Sequence, residues 1–400
     1  MKDWKKTSLV TALILMAFLA GLFYALDISI SIPSSDIEFS PGEAISDVTP
    51  EYISDKPKNI IVFIADGMGF SHLSLAMLTQ QTENSPSVWQ EFDVKGWHDA
   101  RSAYGPLTDS EASATAIATG TSTSFGFIGL DPDGKPLKSI FELASDKQYS
   151  TAIVTDSYIW DGTPAAFVAH TKTEDDARDI LTQIATSELD LLFGELEDVG
   201  EDDVPEKEET LNILTKRFQL LDRSLELPKH DSMLKPIAAI FDEDEIQDLN
   251  STPNLPELTE VALEYLSYQK KPFVLLVECE EMDAASHNND SDRVINGLKS
   301  IQETLSLVLN YSKANGETLV LFTADHETGG LAAIADFGNY PNLQIKWSTK
   351  EHTAVVVPLF AAGPGAEYFA DLHRNWEIGD RLKKLILHAE EQGDQIKGLK

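Results

Sequence analysis

The chain has 400 residues, 42% of them hydrophobic, enough for one large α/β domain or two ordinary ones. Against 66 acidic residues stand only 31 basic ones, a net charge of −35, so a broad electrostatic footprint for nucleic acid is absent. A mean hydropathy of −0.17 excludes a polytopic membrane protein, and Cys279, the sole cysteine, excludes an internal disulfide.

Lys2, Lys5 and Lys6 precede an uncharged apolar run from Ser8 to Leu26, the pattern of an export signal. Its 19 residues are long for a cleaved signal and sufficient for one membrane helix, and Ala20 to Ala25 offers no clean A-x-A cleavage site. Residues 1–27 are therefore expected to be a signal or anchor segment, uncleaved in preference to cleaved. The acidic body would then lie on the periplasmic or extracellular face, held to the membrane by this helix unless cleavage releases it. Residues 28–57, with Pro33, Pro41 and Pro50 and no sustained periodicity, read as a linker. One domain is expected over 58–400.

Within that body, Asn59 to Ala65 is a short apolar run with the character of a buried strand, and it ends at Asp66. Next comes Thr108-Asp109-Ser110-Glu111-Ala112-Ser113-Ala114-Thr115-Ala116, closed by Gly120, which reads as a tightly packed helix with Ser110 in its first turn. Free N–H groups and positive potential there suit a serine that becomes phosphorylated; alternatively Ser110 is a capping residue. Thr151 to Val154 is a second strand, ending at Thr155 and Asp156. The stretch 195–210 holds nine acidic residues and one lysine and is expected to be a solvated surface insertion.

Leu258 to Tyr268 and Val294 to Tyr311 carry helical periodicity on either side of a strand from Pro272 to Val277, which ends at Glu278. Asp283 and His287 follow four residues apart, on one face of a helix. Taken alone they read first as a solvated ion pair; they can equally share one zinc, with His352 available from a later loop. Further strands at Thr318 to Thr323 and Val355 to Ala361 complete the series, the former leading to Asp325 and His326. The alternation is βαβ, predicting an α/β fold with a mostly parallel central sheet flanked by helices on both faces. Ligands of such sheets collect beyond the carboxyl ends of the strands, so these oxygen and imidazole donors are expected to converge.

These segments carry a family resemblance. IVFIADGMG from Ile61, TDSEASATAIATG from Thr108, DGTPAAFVAHT from Asp161, PELTEVALEYL from Pro256, LLVECEEMDAASHNND from Leu275, TADHETGG from Thr323 and HTAVVVPLFAAGPGA from His352 resemble, in order, the motifs of the alkaline phosphatase family. The resemblance implies an exported, metal-dependent hydrolase of phosphate monoesters working through a phosphoserine, with small-molecule phosphate esters as substrates and a homodimer as an open option. It implies Ser110 as nucleophile, two Zn2+ and one Mg2+. Asp283, His287 and His352 would hold one zinc, and Asp66, Asp325 and His326 the other. Asp66, Thr163 and Glu278 would form the magnesium site, with Asp109 and Asp161 supporting these residues from behind.

One position departs from the family pattern. The phosphate-clamping arginine, four residues beyond the histidine of the TPAA segment, is Glu174 here, following His170. Lys172 and Arg178 flank it as substitutes, although a lysine cannot reproduce a bidentate guanidinium fork. The change opens the alternative of a related phosphodiesterase. A non-catalytic, acidic, metal-binding surface protein is the alternative from a different class.

Overall fold

The computed structural model describes residues 56–80, 87–196, 206–229, 235–246, 249–334 and 342–397. The anchor segment, almost all of the linker and the middle of the acidic insertion lie outside the described residues. Among those described, no helix is long and apolar enough to cross a membrane.

The described residues form thirteen strands: β1 (Asn59–Ala65), β2 (Val94–His98), β3 (Ser150–Tyr158), β4 (Leu191–Leu196), β5 (Gln219–Leu220), β6 (Ile237–Asp242), β7 (Phe273–Cys279), β8 (Thr318–Thr323), β9 (Glu327–Thr328), β10 (Ala332–Ile334), β11 (Gln344–Lys346), β12 (His352–Thr353) and β13 (Val357–Ala362). Nine make one sheet in the order β2-β13-β8-β1-β7-β3-β4-β6-β5. All its pairings are parallel except those of β13, which is antiparallel to both neighbours.

The helices are α1 (Phe70–Gln80), α2 (Ser110–Thr119), α3 (Ile140–Asp146), α4 (Gly162–Ala166), α5 (Ala177–Thr186), α6 (Lys207–Leu214), α7 (Leu255–Gln269), α8 (Glu281–His287), α9 (Ser291–Asn315) and α10 (Asn375–Lys397). Why they cover both faces is visible in β1, whose seven residues are all buried. Side chains alternate across a strand, so Ile61, Phe63 and Ala65 enter one core with α7 and α9, while Ile60, Val62 and Ile64 enter a second with α2, α3 and α5. The mostly parallel sheet with helices on both faces is thus as expected.

Differences lie at the ends. β3 and β7 run on through Thr155, Asp156 and Glu278, which therefore project from the last turns of strand and not from loops beyond them. The acidic stretch is also not all loop. Glu195 belongs to β4 and is buried, accepting hydrogen bonds from the backbone N–H groups of Asp244 at 2.9 Å and Ile246 at 2.6 Å, and residues 207–210 begin α6.

Candidate metal and phosphoryl-transfer site

β1, β7, β8 and β3 lie side by side, and their register brings Ile64 level with Glu278 and Thr323, and Thr155 level with Glu278. Everything one or two residues further along meets at this edge. Asp66 follows β1 and is fixed by its N–H to the Cys279 carbonyl at 2.9 Å. Gly67 then turns with φ +70°, and a Cβ there would lie 2.7 Å from Asp283 Oδ1, so only glycine lets α8 approach the β1 exit so closely. Asp325 Oδ1 accepts from the N–H groups of Gly67 at 3.2 Å and His326 at 2.9 Å, leaving Oδ2 turned inward.

Two donor groups result. In one, His287 Nε2 is 3.1 Å from Asp283 Oδ2 and 3.2 Å from His352 Nε2. In the other, Asp66 Oδ1 and Asp325 Oδ2 each stand 3.3 Å from His326 Nε2. Asp283 lies between them: its ligand atoms group as closely with Asp66 and His326 as with His287 and His352, all within 4.8 Å. Beside Asp66, Thr163 Oγ1 is 3.5 Å from Asp66 Oδ2. Glu278 Oε2 accepts from Thr155 Oγ1 at 2.6 Å, while its Oε1 has no partner. Asp161 accepts from Ser157 and from the Gly162 N–H at 2.7 Å, and so anchors the start of α4, which carries Thr163.

The imidazoles decide whether cations fit. His287 Nδ1 donates to the Lys350 carbonyl at 2.5 Å and His352 Nδ1 to the Thr108 carbonyl at 2.9 Å. Thr328 Oγ1 donates to Asp283, so at 3.1 Å it accepts from His326 Nδ1. With each Nδ1 carrying the proton, each Nε2 presents a lone pair toward the cluster, the usual arrangement of metal-ligating histidines. Facing lone pairs of His287 and His352 repel, and buried Asp66 Oδ1 and Asp325 Oδ2 lack hydrogen-bond partners. A cation in each group removes both costs.

Electrostatics point the same way. Burial, then the charges of Asp325, Asp283, Glu278 and Asp161, hold Asp66 well above the usual carboxylate range. Burial, then Asp283, pushes Asp325 up to about 8. Glu278 is raised well above its ordinary value by burial and then Asp161. Asp283 departs from this trend: burial lifts it, but its contacts with the surrounding imidazoles, His287 first, outweigh burial and leave the carboxyl low. Burial drives His326 down to about 3, keeping it neutral.

Ser110 opens α2. The capping role belongs to Asp109, whose Oδ1 accepts from Ala112 N–H at 2.9 Å and Oδ2 from Gly126 N–H at 2.5 Å. Ser110 Oγ is left to face the donors, 3.1 Å from His326 Nε2. Ser110 and Asp66 line a cavity of about 360 Å3 together with Asp109, Glu111, Asp161, Glu174, Glu280, Asp283, His287 and His352. Neither Lys172 nor Arg178 is among these residues, against the expectation of a substitute clamp. Arg178 pairs with Glu209 on the surface, and Lys172 packs against the turn at Gly134. Sequence reasoning gave no role to Thr328, which ties Asp283 to His326, or to Glu111, although TADHETGG and TDSEASATA contain them. His72, His98 and His170 are hydrogen-bonded within the protein and belong to neither ligand group.

Comparison with known proteins identifies the family and the fold. The alkaline phosphatase family model matches residues 57–211 and 222–342. Alkaline phosphatase 4 of Bacillus subtilis is 26% identical, the alignment covering 82% of this chain and 88% of the relative. Repressible alkaline phosphatase of Saccharomyces cerevisiae is 30% identical over 70% of this chain and 56% of its own length. The structure of alkaline phosphatase from the Antarctic bacterium TAB5 superposes with a TM-score of 0.73 at 27% identity, covering 83% of this chain and 98% of that one. A mutant of that enzyme has been solved with Mg bound in its M3 site.

Proposed function

The chain belongs to the alkaline phosphatase family of metal-dependent phosphomonoesterases, and from that premise we propose that it hydrolyses phosphate monoesters outside the cytoplasm through a phosphoserine on Ser110. The observation that carries the reading is the set of three Nε2 lone pairs turned toward buried carboxylate oxygens, with Ser110 Oγ directed at the same point. Asp283, His287 and His352 would hold one Zn2+; Asp66, Asp325 and His326 a second; Asp66, Thr163 and Glu278 a Mg2+, whose preference for oxygen donors this third set meets. When bound, these ions supply positive charge that favours the ionised serine and offsets the charge of the transferring phosphoryl group.

The residues of the chain do the rest. Asp109 holds the first turn of α2 so that Ser110 Oγ faces the donors, and the free N–H groups of that turn favour an anionic phosphoryl group. Ser110 Oγ forms its bond to phosphorus as the ester P–O bond breaks and the alcohol leaves with a proton. Water then attacks phosphorus, the Oγ–P bond breaks, and inorganic phosphate departs while Ser110 regains its proton. Export follows from Lys2, Lys5 and Lys6 ahead of the apolar run to Leu26, and retention of that segment would leave the enzyme tethered.

Activity on p-nitrophenyl phosphate and on its bis ester, with elemental analysis of protein purified without chelator, tests the proposal. Monoester turnover with about two zincs and one magnesium per chain is expected. Preferential bis-ester cleavage would move the enzyme to a phosphodiesterase, and less than one transition metal per active chain would refute the ligand assignment.

A further inference from the structure

The cavity around Ser110 is lined by more acidic groups than the metal ligands account for. Seven of its ten lining residues are Asp or Glu and none is Lys or Arg. Asp66 and Asp283 belong to the metal groups, Asp109 caps α2 and Asp161 anchors α4. Glu280 leads into α8, held by its N–H to Asp156 Oδ1 at 2.6 Å. Glu111 and Glu174 do none of these things. Glu111 sits one residue past Ser110, its side chain packed against Gly162, where a Cβ would come 2.9 Å from its Cγ. Glu174 stands at the mouth, open to solvent as a residue although its carboxyl is crowded by surrounding protein. Among the described residues no side-chain cation pairs with either carboxylate, and Glu111 is met only by its own backbone N–H. In the same cavity the buried Asp66 leaves Oδ1 without a partner, so this is a pocket built to receive something and not only an acidic surface.

We propose that Glu111 and Glu174 form a charge-selecting wall beside Ser110, so that the preferred substrates are phosphate monoesters whose alcohol carries a cationic group, such as a primary or quaternary ammonium, close to the phosphate. The inference rests on the monoesterase reading above and adds the substrate class. The metals and the α2 N-terminus suit the phosphoryl end of a substrate; an anionic or neutral alcohol would find only carboxylates at this wall, whereas an ammonium group would find two without a competing cation. The wall's own electrostatics agree. Burial and then Asp161, Glu111, Asp175 and Asp109 raise Glu174 to about 8, while burial and then Asp109, Asp161 and Asp175 raise Glu111 to about 7. These are the marks of carboxylates lacking positive charge nearby; both are ionised above about pH 8, the range in which a cationic substrate is drawn to them and in which the test is run.

The test compares kcat/KM of the metal-loaded full chain for three monoesters of similar size: phosphoethanolamine, ethyl phosphate and 2-phosphoglycolate. The expected order is ammonium over neutral over carboxylate, with about a tenfold step at each, the size expected of a charge interaction of roughly 1.4 kcal/mol at a partly exposed wall. Glu174→Gln and Glu111→Gln, made separately, should each shrink the phosphoethanolamine to ethyl phosphate ratio, mainly through KM, and raised salt should shrink it in the parent. Equal kcat/KM for all three substrates in a parent that turns over p-nitrophenyl phosphate would overturn the wall and leave the monoesterase reading intact. A ratio unchanged in both folded variants would do the same. A parent inactive on p-nitrophenyl phosphate as well would refute the underlying reading and the inference with it.

Discussion

Ser110 and Glu174 line one cavity with opposite consequences for phosphate. Ser110→Ala removes the atom that bonds to phosphorus but none of the donors grouped around His326 and His287, so turnover should fall by several orders of magnitude while zinc and magnesium content stay at parent values. Labelled phosphate trapped at low pH should mark Ser110 in the parent, and label on any other residue would refute its role. Glu174 presents a carboxylate at the mouth, and Arg178 is engaged with Glu209. Inorganic phosphate is therefore expected to be a weak product inhibitor. Glu174→Arg should tighten its inhibition constant by about 1–3 kcal/mol, the usual worth of a charge-assisted hydrogen bond; an unchanged constant would show that this side chain does not reach the product.

At the scale of the element, α2 is positioned by its cap. Asp109 accepts one hydrogen bond from its own helix and one from Gly126, so it both starts α2 and pins the following loop to it. Asp109→Ala should cost about 1–2 kcal/mol in denaturant unfolding, and because Ser110 loses its aim, kcat should drop more than KM rises. Stability at the parent value would mean that the cap is dispensable.

The legibility of the elements follows their chemistry. β1, β7 and β8 are readable because each is a short apolar run ending in a hard donor, and α8 because Asp283 and His287 share a face. β2 is less visible: in VKGWH exposure alternates and a glycine interrupts. β4 runs directly into the acidic stretch, so Glu195 reads as loop although backbone N–H groups hold its carboxylate inside. The carbonyls of Lys350 and Thr108 that orient His287 and His352 leave no side-chain signature. Glu111 is masked for another reason, since an acidic residue in a first helical turn is ordinary dipole chemistry.

For the whole molecule, the buried carboxylates make stability depend on metal and pH together. In metal-stripped protein, Asp325 binds its proton up to about 8 when folded, against 3.8 in the ordinary state, and Asp66 and Glu278 shift in the same direction. The folded chain thus holds more protons than the unfolded one across that window, and its stability falls as pH rises through it. Thermal midpoints after chelation should accordingly be lower near about pH 8 than near about pH 5, and zinc with magnesium should restore most of the loss at the higher pH. A midpoint of the stripped protein that climbs with pH would contradict the buried-carboxylate account.

The sheet order has a consequence for how the protein is made. β1, the first strand of the sheet to leave the ribosome, lies between β7 and β8, which begin at Phe273 and Thr318. More than half of the chain must be synthesised before either edge of this strand, apolar from Ile60 to Ala65, finds its partner, leaving a long interval in which it can pair with another nascent chain. The proposed ligands, drawn from Asp66 to His352, cannot assemble until that closure, so metal uptake would come last and act as a seal on a finished fold, not as a nucleus for it.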